Sequence, residues 1–265
     1  MDTAVVTGAG RGLGRAFAER LADRGLAVLV TDIDAETAES TAAELGPPAW
    51  SARLDTRDAA ACRTVADDAA GRGPLAVWVN NAGILDSGRV WDQGDEVLEA
   101  TVAVNFMGVV HGTRAAIARM GATGGRILNV ASLSALGPVP GIAVYSATKH
   151  AVLAFSLAIQ RELREAELPI EVRALCPDTI NTRLAREVAG DEQASLMWSG
   201  TRILEVDEVA DRGIDLLYGA RLSRTIPAYR GAIMRSVQLF PRAGFRLLPA
   251  FRWLGERRQR RWRQG

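Results

Sequence analysis

The sequence predicts an α/β fold in which helices cover both faces of a doubly wound, mainly parallel sheet. Short, nearly continuous apolar runs alternate with longer amphipathic segments along most of the chain. The apolar runs are rich in valine, isoleucine and leucine, which is typical of parallel strands buried on both faces. A glycine-rich turn also follows the first run and opens the first amphipathic segment, giving the order strand, loop, helix.

The apolar runs and the amphipathic patterns place most of the elements. Strands are predicted at residues 3–7, 27–31, 49–54, 76–80, 126–131 and 170–175, with a last strand at 224–228. Helices are predicted at residues 13–24, 35–45, 57–70, 93–120 and 143–167. Right-handed crossovers between such strands give the Rossmann topology.

The pattern changes after Pro177. A helical insertion is predicted over residues 181–199 and a further helix over 207–218. We assign residues 178–205 to a substrate loop and residues 240–265 to a basic amphipathic tail. Because the sequence contains no repeat, low-complexity segment or linker, we predict one Rossmann-type domain over residues 1–265.

Composition excludes several classes of protein. The 32 basic and 31 acidic residues leave a formal charge of +1, so no overall field favours nucleic acid. Cys62 and Cys176 have no metal-ligand spacing, and they fit a reducing compartment; we expect no bound metal. The N-terminus lacks the pattern of a secretory signal, and no apolar run is long enough to span a bilayer. We therefore expect a cytoplasmic protein.

The glycine-rich turn is the first candidate binding site. It reads Thr7-Gly8-Ala9-Gly10-Arg11-Gly12-Leu13-Gly14. Glycines let the backbone approach a pyrophosphate closely, and the following helix N-terminus offers N–H groups and a partial positive charge. A plain structural turn before a helix is the alternative interpretation.

The end of the second strand bears on the choice of cofactor. Asp32 lies 24 residues after Gly8, where a carboxylate accepts both ribose hydroxyls and repels a 2′-phosphate. Ile33 follows it in place of a basic residue, which also favours NAD. Arg11 inside the loop argues for NADP instead, so we predict NAD and leave NADP open.

A second constellation carries the chemistry. Tyr145 and Lys149 are four residues apart at the start of a predicted helix, so their side chains share one face. A nearby ammonium stabilises a phenolate, whose ordinary pKa is about 10. Lys149 is also the only lysine in the chain. Ser132 follows the fifth strand, where a hydroxyl can hydrogen-bond a substrate oxygen; Ser134 is the alternate.

These motifs together resemble the short-chain dehydrogenase/reductase family. The glycine loop is similar to its T-G-x3-G-x-G signature, Asn80-Asn81-Ala82-Gly83 to its N-N-A-G element, and Tyr145 with Lys149 to its Y-x3-K pair. The resemblance implies that Tyr145 is the general acid/base, that Ser132 orients the carbonyl, and that Lys149 binds the nicotinamide ribose and lowers the Tyr145 pKa. It also implies that Asn105 holds a water in a proton relay.

The resemblance extends to other cofactor contacts. It implies that Asp55 contacts the adenine amino group, with a helix N-cap as the alternative role, and that Asn81, Ala82 and Gly83 pass beneath the adenosine. The segment from Pro177 to Thr182 resembles the family's P-G-x-V-x-T, which places Pro177, Ile180 and Thr182 at the nicotinamide carboxamide. Asp178 replaces the glycine of that segment, which puts its backbone conformation in doubt.

The sequence therefore predicts an oxidoreductase that transfers a hydride between a nicotinamide and an alcohol or carbonyl. An apolar substrate, steroid-, terpenoid- or lipid-like, is suggested by a set of apolar residues near the predicted site, which are Leu85, Leu133, Leu136, Val139, Leu184, Met197 and Trp198. Alternatives are an NADPH-dependent carbonyl reductase that uses Arg11 and a protein that binds NAD without turnover.

The partners of the chain are less determined. The arginine-rich tail suits an anionic membrane surface, a second subunit or the protein's own core, and Pro241 and Pro249 argue against one continuous helix there. A protein that acts mainly by membrane binding is a further alternative. The long predicted helices at 93–120 and 143–167 resemble those with which family members dimerise, so we expect a homo-oligomer.

Overall fold

A parallel sheet forms the centre of the protein in the computed structural model, which describes residues 1–264. Its strands, in chain order, are β1 (Thr3–Thr7), β2 (Ala27–Asp32), β3 (Trp50–Arg53), β4 (Leu75–Asn80), β5 (Gly125–Val130), β6 (Ile170–Pro177) and β7 (Ser223–Ile226). The spatial order is β3-β2-β1-β4-β5-β6-β7, and every neighbouring pair is parallel. The predicted doubly wound topology is confirmed, and each strand boundary lies within two residues of its prediction.

The sheet is covered on both faces because its strands are apolar on both sides. Successive side chains of a strand point to opposite faces. In β1, Val6 packs into one apolar core with Val28 and Val30, whereas Val5 packs into the other with Leu29. The near-continuous apolar runs of the sequence follow from this double burial.

Helices lie in the crossovers between strands and after the last one. They are α1 (Gly12–Ala22), α2 (Ala35–Leu45), α3 (Ala59–Arg72), α4 (Asp95–Val102), α5 (Gly108–Met120), α6 (Ala143–Glu165), α7 (Arg183–Glu187), α8 (Val206–Tyr218), α9 (Ala228–Leu239) and α10 (Pro241–Gln264). In residues 1–264, no helix combines the length and the apolar character needed to cross a membrane.

Two of the predicted helices are divided in the structure. The pattern over 93–120 resolves into α4, a π-helical turn at Ala103–Met107 and α5. A π turn inserts one extra residue without changing the apolar character of the segment, so periodicity alone does not reveal it. The insertion predicted at 181–199 contains α7 and a 3₁₀ helix at Glu192–Ser199, separated by a turn.

The C-terminal segment corrects an expectation. The two prolines do not prevent a long helix, because Pro241 begins α10, where its missing N–H would be unpaired anyway. Pro249 lies inside α10 and removes one backbone hydrogen bond. Tertiary packing compensates, since the buried residues Gly255 and Gln259 place the second half of α10 against the protein. Helix α9 was not predicted at all.

The topology fixes where a site can lie. The carboxyl ends of parallel strands meet at one edge of the sheet, and the chain order reverses between β1 and β4. Loops leaving these two strands run in opposite directions and open a crevice between them. The motifs predicted at residues 8–14, 81–83, 132 and 177–182 all follow strands that end at this edge.

Candidate active site

The glycine loop is shaped by two close backbone approaches. Gly8 has φ +62°, and a Cβ added there would lie 2.8 Å from the Cα of Ala82. A Cβ on Gly14 would collide with the carbonyl oxygen of Gly8. Helix α1 begins at Gly12, and its N-cap residue Arg11 makes no side-chain capping hydrogen bond. The loop is therefore a narrow cradle whose helix N–H groups point to the space where a pyrophosphate would bind.

Asn81 locks the end of β4 to this loop. Its Nδ2 donates to the carbonyl oxygens of Thr7, at 3.1 Å, and of Gly8, at 3.0 Å. In return, Oγ1 of Thr7 accepts the backbone N–H groups of Asn81 and Ala82, at 3.0 and 3.1 Å. Asn81, Ala82 and Gly83 line the same cavity as the glycine loop.

Asp32 is held rigidly at the end of β2. The side chain is buried, Oδ2 accepts the N–H of Gly10 at 3.0 Å, and Oδ1 accepts the N–H of Asp34 at 3.2 Å. Ile33 is exposed beside it. Arg11 lies 3.7 Å from Asp34 in a solvent-exposed ion pair. The two residues with opposite implications for the cofactor, Asp32 and Arg11, thus line one cavity.

Asp55 is not the N-cap of the helix that follows it. Asp58 fills that position and accepts the N–H groups of Ala60 and Ala61. The Asp55 carboxylate instead accepts hydrogen bonds from the side chain and the backbone of Arg57, and these bonds hold its pKa below the ordinary value. Asp55 also lines the cavity, and its contact with the adenine amino group stays a prediction.

Lys149 is a buried cation on the first turns of α6. Its Nζ donates to the carbonyl oxygen of Val130 at 2.9 Å and lies 5.6 Å from the ring centre of Tyr145. Burial lowers the pKa of Lys149 to about 8. The ammonium is therefore positioned by the end of β5 and loses its proton more readily than a surface lysine does.

Tyr145 and Ser132 face each other across the cavity floor. Burial raises the pKa of Tyr145 to about 12, and a hydrogen bond with the Ser132 side chain opposes this rise. Ser132 also caps the 3₁₀ helix Leu133–Leu136, because its Oγ accepts the N–H of Ser134 at 3.1 Å. Desolvation of the phenol is the larger of these two effects, and the lowering of the Tyr145 pKa by Lys149 stays a prediction.

Asn105 lies in the π turn between α4 and α5 and is completely buried. Its Oδ1 accepts the N–H of Ile84, and its Nδ2 donates to the carbonyl oxygen of Ile84, both at 2.8 Å. The side chain thus fixes the backbone just after Gly83. It does not line the cavity, and the role in a water relay stays a prediction.

The segment after β6 departs from the family at Asp178 and keeps an ordinary backbone. Within residues 1–264 only Glu167 combines a side chain with a positive φ, so Asp178 needs no glycine-like conformation. Its carboxylate accepts a hydrogen bond from Nε of Arg230 at 2.9 Å. Burial raises the pKa of Asp178, and Arg230 opposes this rise. The added carboxylate is therefore paired inside the wall of the cavity.

One cavity of about 1270 Å³ joins these features. The predicted cofactor and catalytic residues that line it are Gly8, Arg11, Gly12, Leu13, Asp32, Ile33, Asp55, Asn81, Ala82, Gly83, Ser132, Tyr145, Lys149, Pro177, Ile180 and Thr182. Gly14 and Asn105 support its walls from behind. The crowded glycine loop at one end and the Ser132–Tyr145–Lys149 group beyond it fit a bound nicotinamide dinucleotide.

The rest of the cavity is mainly apolar. Of the predicted substrate contacts, Leu85, Leu133, Val139, Leu184 and Met197 line it. Leu136 and Trp198 do not line it, so these two predicted contacts are wrong. Trp198 packs into a separate core, with its ring centre 5.7 Å from that of Trp262.

The sequence did not reveal the outer wall of the cavity, which the C-terminal helices form. Helices α9 and α10, with Phe240 between them, supply it; the residues of the two helices are Ile233, Met234, Val237, Phe245, Leu247, Leu248 and Phe251. Residues 233, 237 and 240 follow a helical spacing, as do 244, 248 and 251. This periodicity was the available signal, although it did not reveal which part of the protein the helices cover.

Comparisons with known proteins agree with this arrangement. A family model described as short chain dehydrogenase matches residues 2–193. The chain is 34% identical over 218 residues to 1-deoxy-11-beta-hydroxypentalenate dehydrogenase of Streptomyces avermitilis, covering 79% of this chain and 78% of that protein. It is 36% identical over 182 residues to sorbitol dehydrogenase of Cereibacter sphaeroides, covering 68% and 70%.

A solved structure is also similar. A short-chain dehydrogenase/reductase from Burkholderia phymatum in complex with NAD has a TM-score of 0.81 at 29% identity, over 88% of this chain and 92% of that chain. Some curated relatives are much longer: the chain is 38% identical over 190 residues to the probable oxidoreductase EphD of Mycobacterium tuberculosis and spans only 32% of its length.

Proposed function

This chain belongs to the short-chain dehydrogenase family, and we propose that its preferred cofactor is NAD and its substrate an apolar alcohol or ketone. Family membership makes it an NAD(P)-dependent oxidoreductase acting on CH–OH groups. When bound, the nicotinamide accepts or donates the hydride. The protein supplies position and protons.

The preference for NAD is supported by Asp32. Its carboxylate is held by two backbone N–H groups, so it cannot turn away from a cofactor in the cavity. A fixed anion there suits two ribose hydroxyls and repels a 2′-phosphate. Arg11, the residue that favours NADP, is exposed and lies beside Asp34.

The catalytic roles follow from the floor of the cavity. Ser132 and Tyr145 both line the cavity, so a substrate oxygen bound between them meets two hydroxyl groups. Tyr145 exchanges the proton of the substrate hydroxyl, and Ser132 orients the oxygen as charge develops on it. Lys149 holds a positive charge behind them and is fixed by Val130.

The apolar substrate is supported by the walls beyond this group. Leucine, valine, methionine and phenylalanine side chains from the loop after β6, α9 and α10 surround this space. Two charged groups in the wall, Asp178 and Arg230, neutralise each other. The relatives named above include a sorbitol dehydrogenase, so the wall of this cavity carries the proposal and family membership does not.

The observation that carries the function is the single cavity that connects the glycine loop and Asp32 to Ser132, Tyr145 and Lys149. Absorbance of the reduced nicotinamide tests it, with NAD and NADP assayed separately against apolar alcohols and small polyols. We expect turnover with NAD and apolar alcohols that is lost in Tyr145→Phe, while NAD binding measured by calorimetry persists. Higher specificity constants for polyols would overturn the substrate proposal, and a preference for NADP would favour the carbonyl-reductase alternative.

We further propose that the protein is a homo-oligomer formed through the helices α4 to α6. Val97, Val102, Met107 and Leu157 are apolar, lie on α4, the π turn and α6, and are each about two-fifths exposed. Exposed apolar residues on neighbouring helices favour an interface. Light scattering coupled to size-exclusion chromatography tests this proposal, and Val102→Glu combined with Leu157→Glu should reduce the measured mass to that of a monomer.

A further inference from the structure

The mouth of the cavity is bordered by apolar side chains that remain exposed. Ile233, Phe240, Phe245 and Leu247 line the cavity and are also 38%, 67%, 43% and 59% exposed. Leu239, beside Phe240, is 73% exposed and lies outside the lining. We call these five residues the rim surface. A set of large exposed apolar residues around one opening marks an interaction surface.

The charge around the rim surface has one sign. Residues 228–264 contain ten arginines and a single acid, whereas the rest of the chain has 22 basic and 30 acidic residues. Arg235, Arg242 and Arg246 alternate with the rim residues along the sequence and are exposed. None of the three forms an ion pair with another residue of the described chain. Their charge is therefore available to an anionic partner.

The second half of α10 holds this surface in place. Gln259 donates to the carbonyl oxygens of Ala189 and Asp191, at 3.1 and 2.8 Å. Arg258 donates to the carbonyl oxygens of Ser199 and Gly200. Because these contacts anchor α10 beyond residue 255, its first turns carry Phe245 and Leu247 in a fixed position at the mouth.

We propose that the rim surface binds the face of an anionic lipid bilayer. The apolar side chains enter the boundary between headgroups and acyl chains, as those of amphipathic interfacial helices do. The flanking arginines then lie at the level of the lipid phosphates, and each contributes to binding. The cavity mouth faces the bilayer in this arrangement, so an apolar alcohol dissolved in the membrane reaches Tyr145 without crossing water.

Charge distinguishes this occupant from a second copy of the chain. A two-fold dimer through the rim surface would place the same patch against itself. Arg235, Arg242 and Arg246 of one copy would then face those of the other, and residues 228–264 contain only one acid to compensate. An anionic bilayer supplies the missing negative charge, together with an apolar layer for Phe240 and Leu247.

Sedimentation of the full-length protein with vesicles tests the proposal without any turnover. The probes are vesicles of phosphatidylcholine alone and of phosphatidylcholine with about one-quarter phosphatidylglycerol, at low salt, since surface charge is screened over about 10 Å at 0.1 M salt. We expect binding to the anionic vesicles only. Arg242→Gln with Arg246→Gln should weaken it about 25-fold, from a factor of about five for each arginine. Neither arginine lines the cavity, so activity on a short alcohol should stay unchanged.

Matched variants distinguish binding through the rim surface from binding through charged or exposed apolar residues elsewhere on the protein. Leu239→Glu should abolish vesicle binding, whereas Trp91→Glu, at a residue of equal exposure (75%), should not. Arg63→Gln with Arg164→Gln, on α3 and α6, should bind as the wild type does. Circular dichroism confirms folding of each variant. The proposal is overturned if the protein does not bind anionic vesicles, or if the matched variants lose vesicle binding to the same extent. It is also overturned if Leu239→Glu changes the mass of the oligomer and leaves vesicle binding unchanged.

Discussion

Arg230 and Asp178 form a buried ion pair, with Nε of Arg230 2.9 Å from Oδ2 of Asp178 and side-chain exposures of 8% and 7%. Arg230 belongs to α9 and Asp178 follows β6, so the pair joins the C-terminal helices to the segment predicted to contact the nicotinamide. Arg230 also donates to Oγ of Ser199 at 3.0 Å. Asp178, which departs from the family pattern, therefore connects the outer wall of the cavity to the site.

Loss of one partner of this pair should be costly. We expect Arg230→Met to lower the free energy of unfolding by about 3–5 kcal/mol, because Asp178 is left buried without its counter-charge. The folded-state pKa of Asp178 then rises further above its unfolded value, so the stability of the variant should fall as pH increases above the ordinary aspartate pKa of about 3.9. Urea unfolding at several pH values above this point measures the fall. If Arg230→Met with Asp178→Ala is as unstable as Arg230→Met alone, the ion pair is not the cause.

Lys149 should give the stability a specific pH dependence. Its folded-state pKa of about 8 lies below the ordinary value of 10.5. Between these values the folded protein binds fewer protons at Lys149 than the unfolded chain does, so stability contributed by this residue rises with pH. The unfolding free energy of the wild type relative to Lys149→Met should increase from about pH 8 to about pH 10, by up to about 1.4 kcal/mol per pH unit. Parallel pH curves for the two proteins would contradict the depressed pKa; the exposed Arg164→Met serves as control.

Asp32 should determine the cofactor. Asp32→Ala is expected to weaken NAD binding about 10- to 100-fold, since charge-assisted hydrogen bonds contribute about 1.5–3 kcal/mol. NADP binding should be unchanged or stronger, because the repulsion of a 2′-phosphate is removed. Calorimetric titration with both cofactors measures the change, and Asp34→Ala controls for loss of a neighbouring carboxylate. Equal loss of both cofactors would indicate instead that Asp32 acts by holding the glycine loop.

Ser132 and Ser134 should differ in effect although both line the cavity. Ser132→Ala is expected to lower kcat/KM about 10²- to 10³-fold through loss of a hydrogen bond to the reacting oxygen. Among the described residues Oγ of Ser134 has no hydrogen-bond partner, so Ser134→Ala should change the unfolding free energy by less than about 0.5 kcal/mol. Steady-state kinetics and urea unfolding of both variants provide the comparison. A larger kinetic loss in Ser134→Ala would reverse the assignment.

Gln259 should link α10 to substrate binding. Gln259→Ala leaves the carbonyl oxygens of Ala189 and Asp191 without their donor in a buried position, which should cost about 1–3 kcal/mol of stability. The neighbouring 3₁₀ helix carries Leu196 and Met197 of the cavity wall, so KM for an apolar substrate should rise while kcat changes little. Arg260→Ala, at the next and exposed residue, is the control. Unchanged KM in Gln259→Ala would show that the hydrogen bonds of Gln259 do not shape the pocket.

The sequence by itself determined the half of the fold that carries the cofactor. The strand positions, the glycine loop, Asp32 and the pairing of Tyr145 with Lys149 depend on short segments whose spacing is dictated by one strand or one helix turn. A buried parallel strand must be apolar on both faces, and a pyrophosphate cradle must be rich in glycine. These requirements leave a visible pattern in the residues concerned.

Only the tertiary structure decided the outer wall and the partners of its charges. Asp178 and Arg230 are 52 residues apart in the chain, and Trp198 meets Trp262 rather than the substrate space. Pro249 suggested a broken tail, yet burial of Gln259 and Gly255 holds α10 as one helix. A proline inside a helix lowers the stability of that helix by a few kcal/mol, and long-range packing can outweigh this cost. This packing determines where α9 and α10 lie over the cavity, and no local sequence pattern predicts that position.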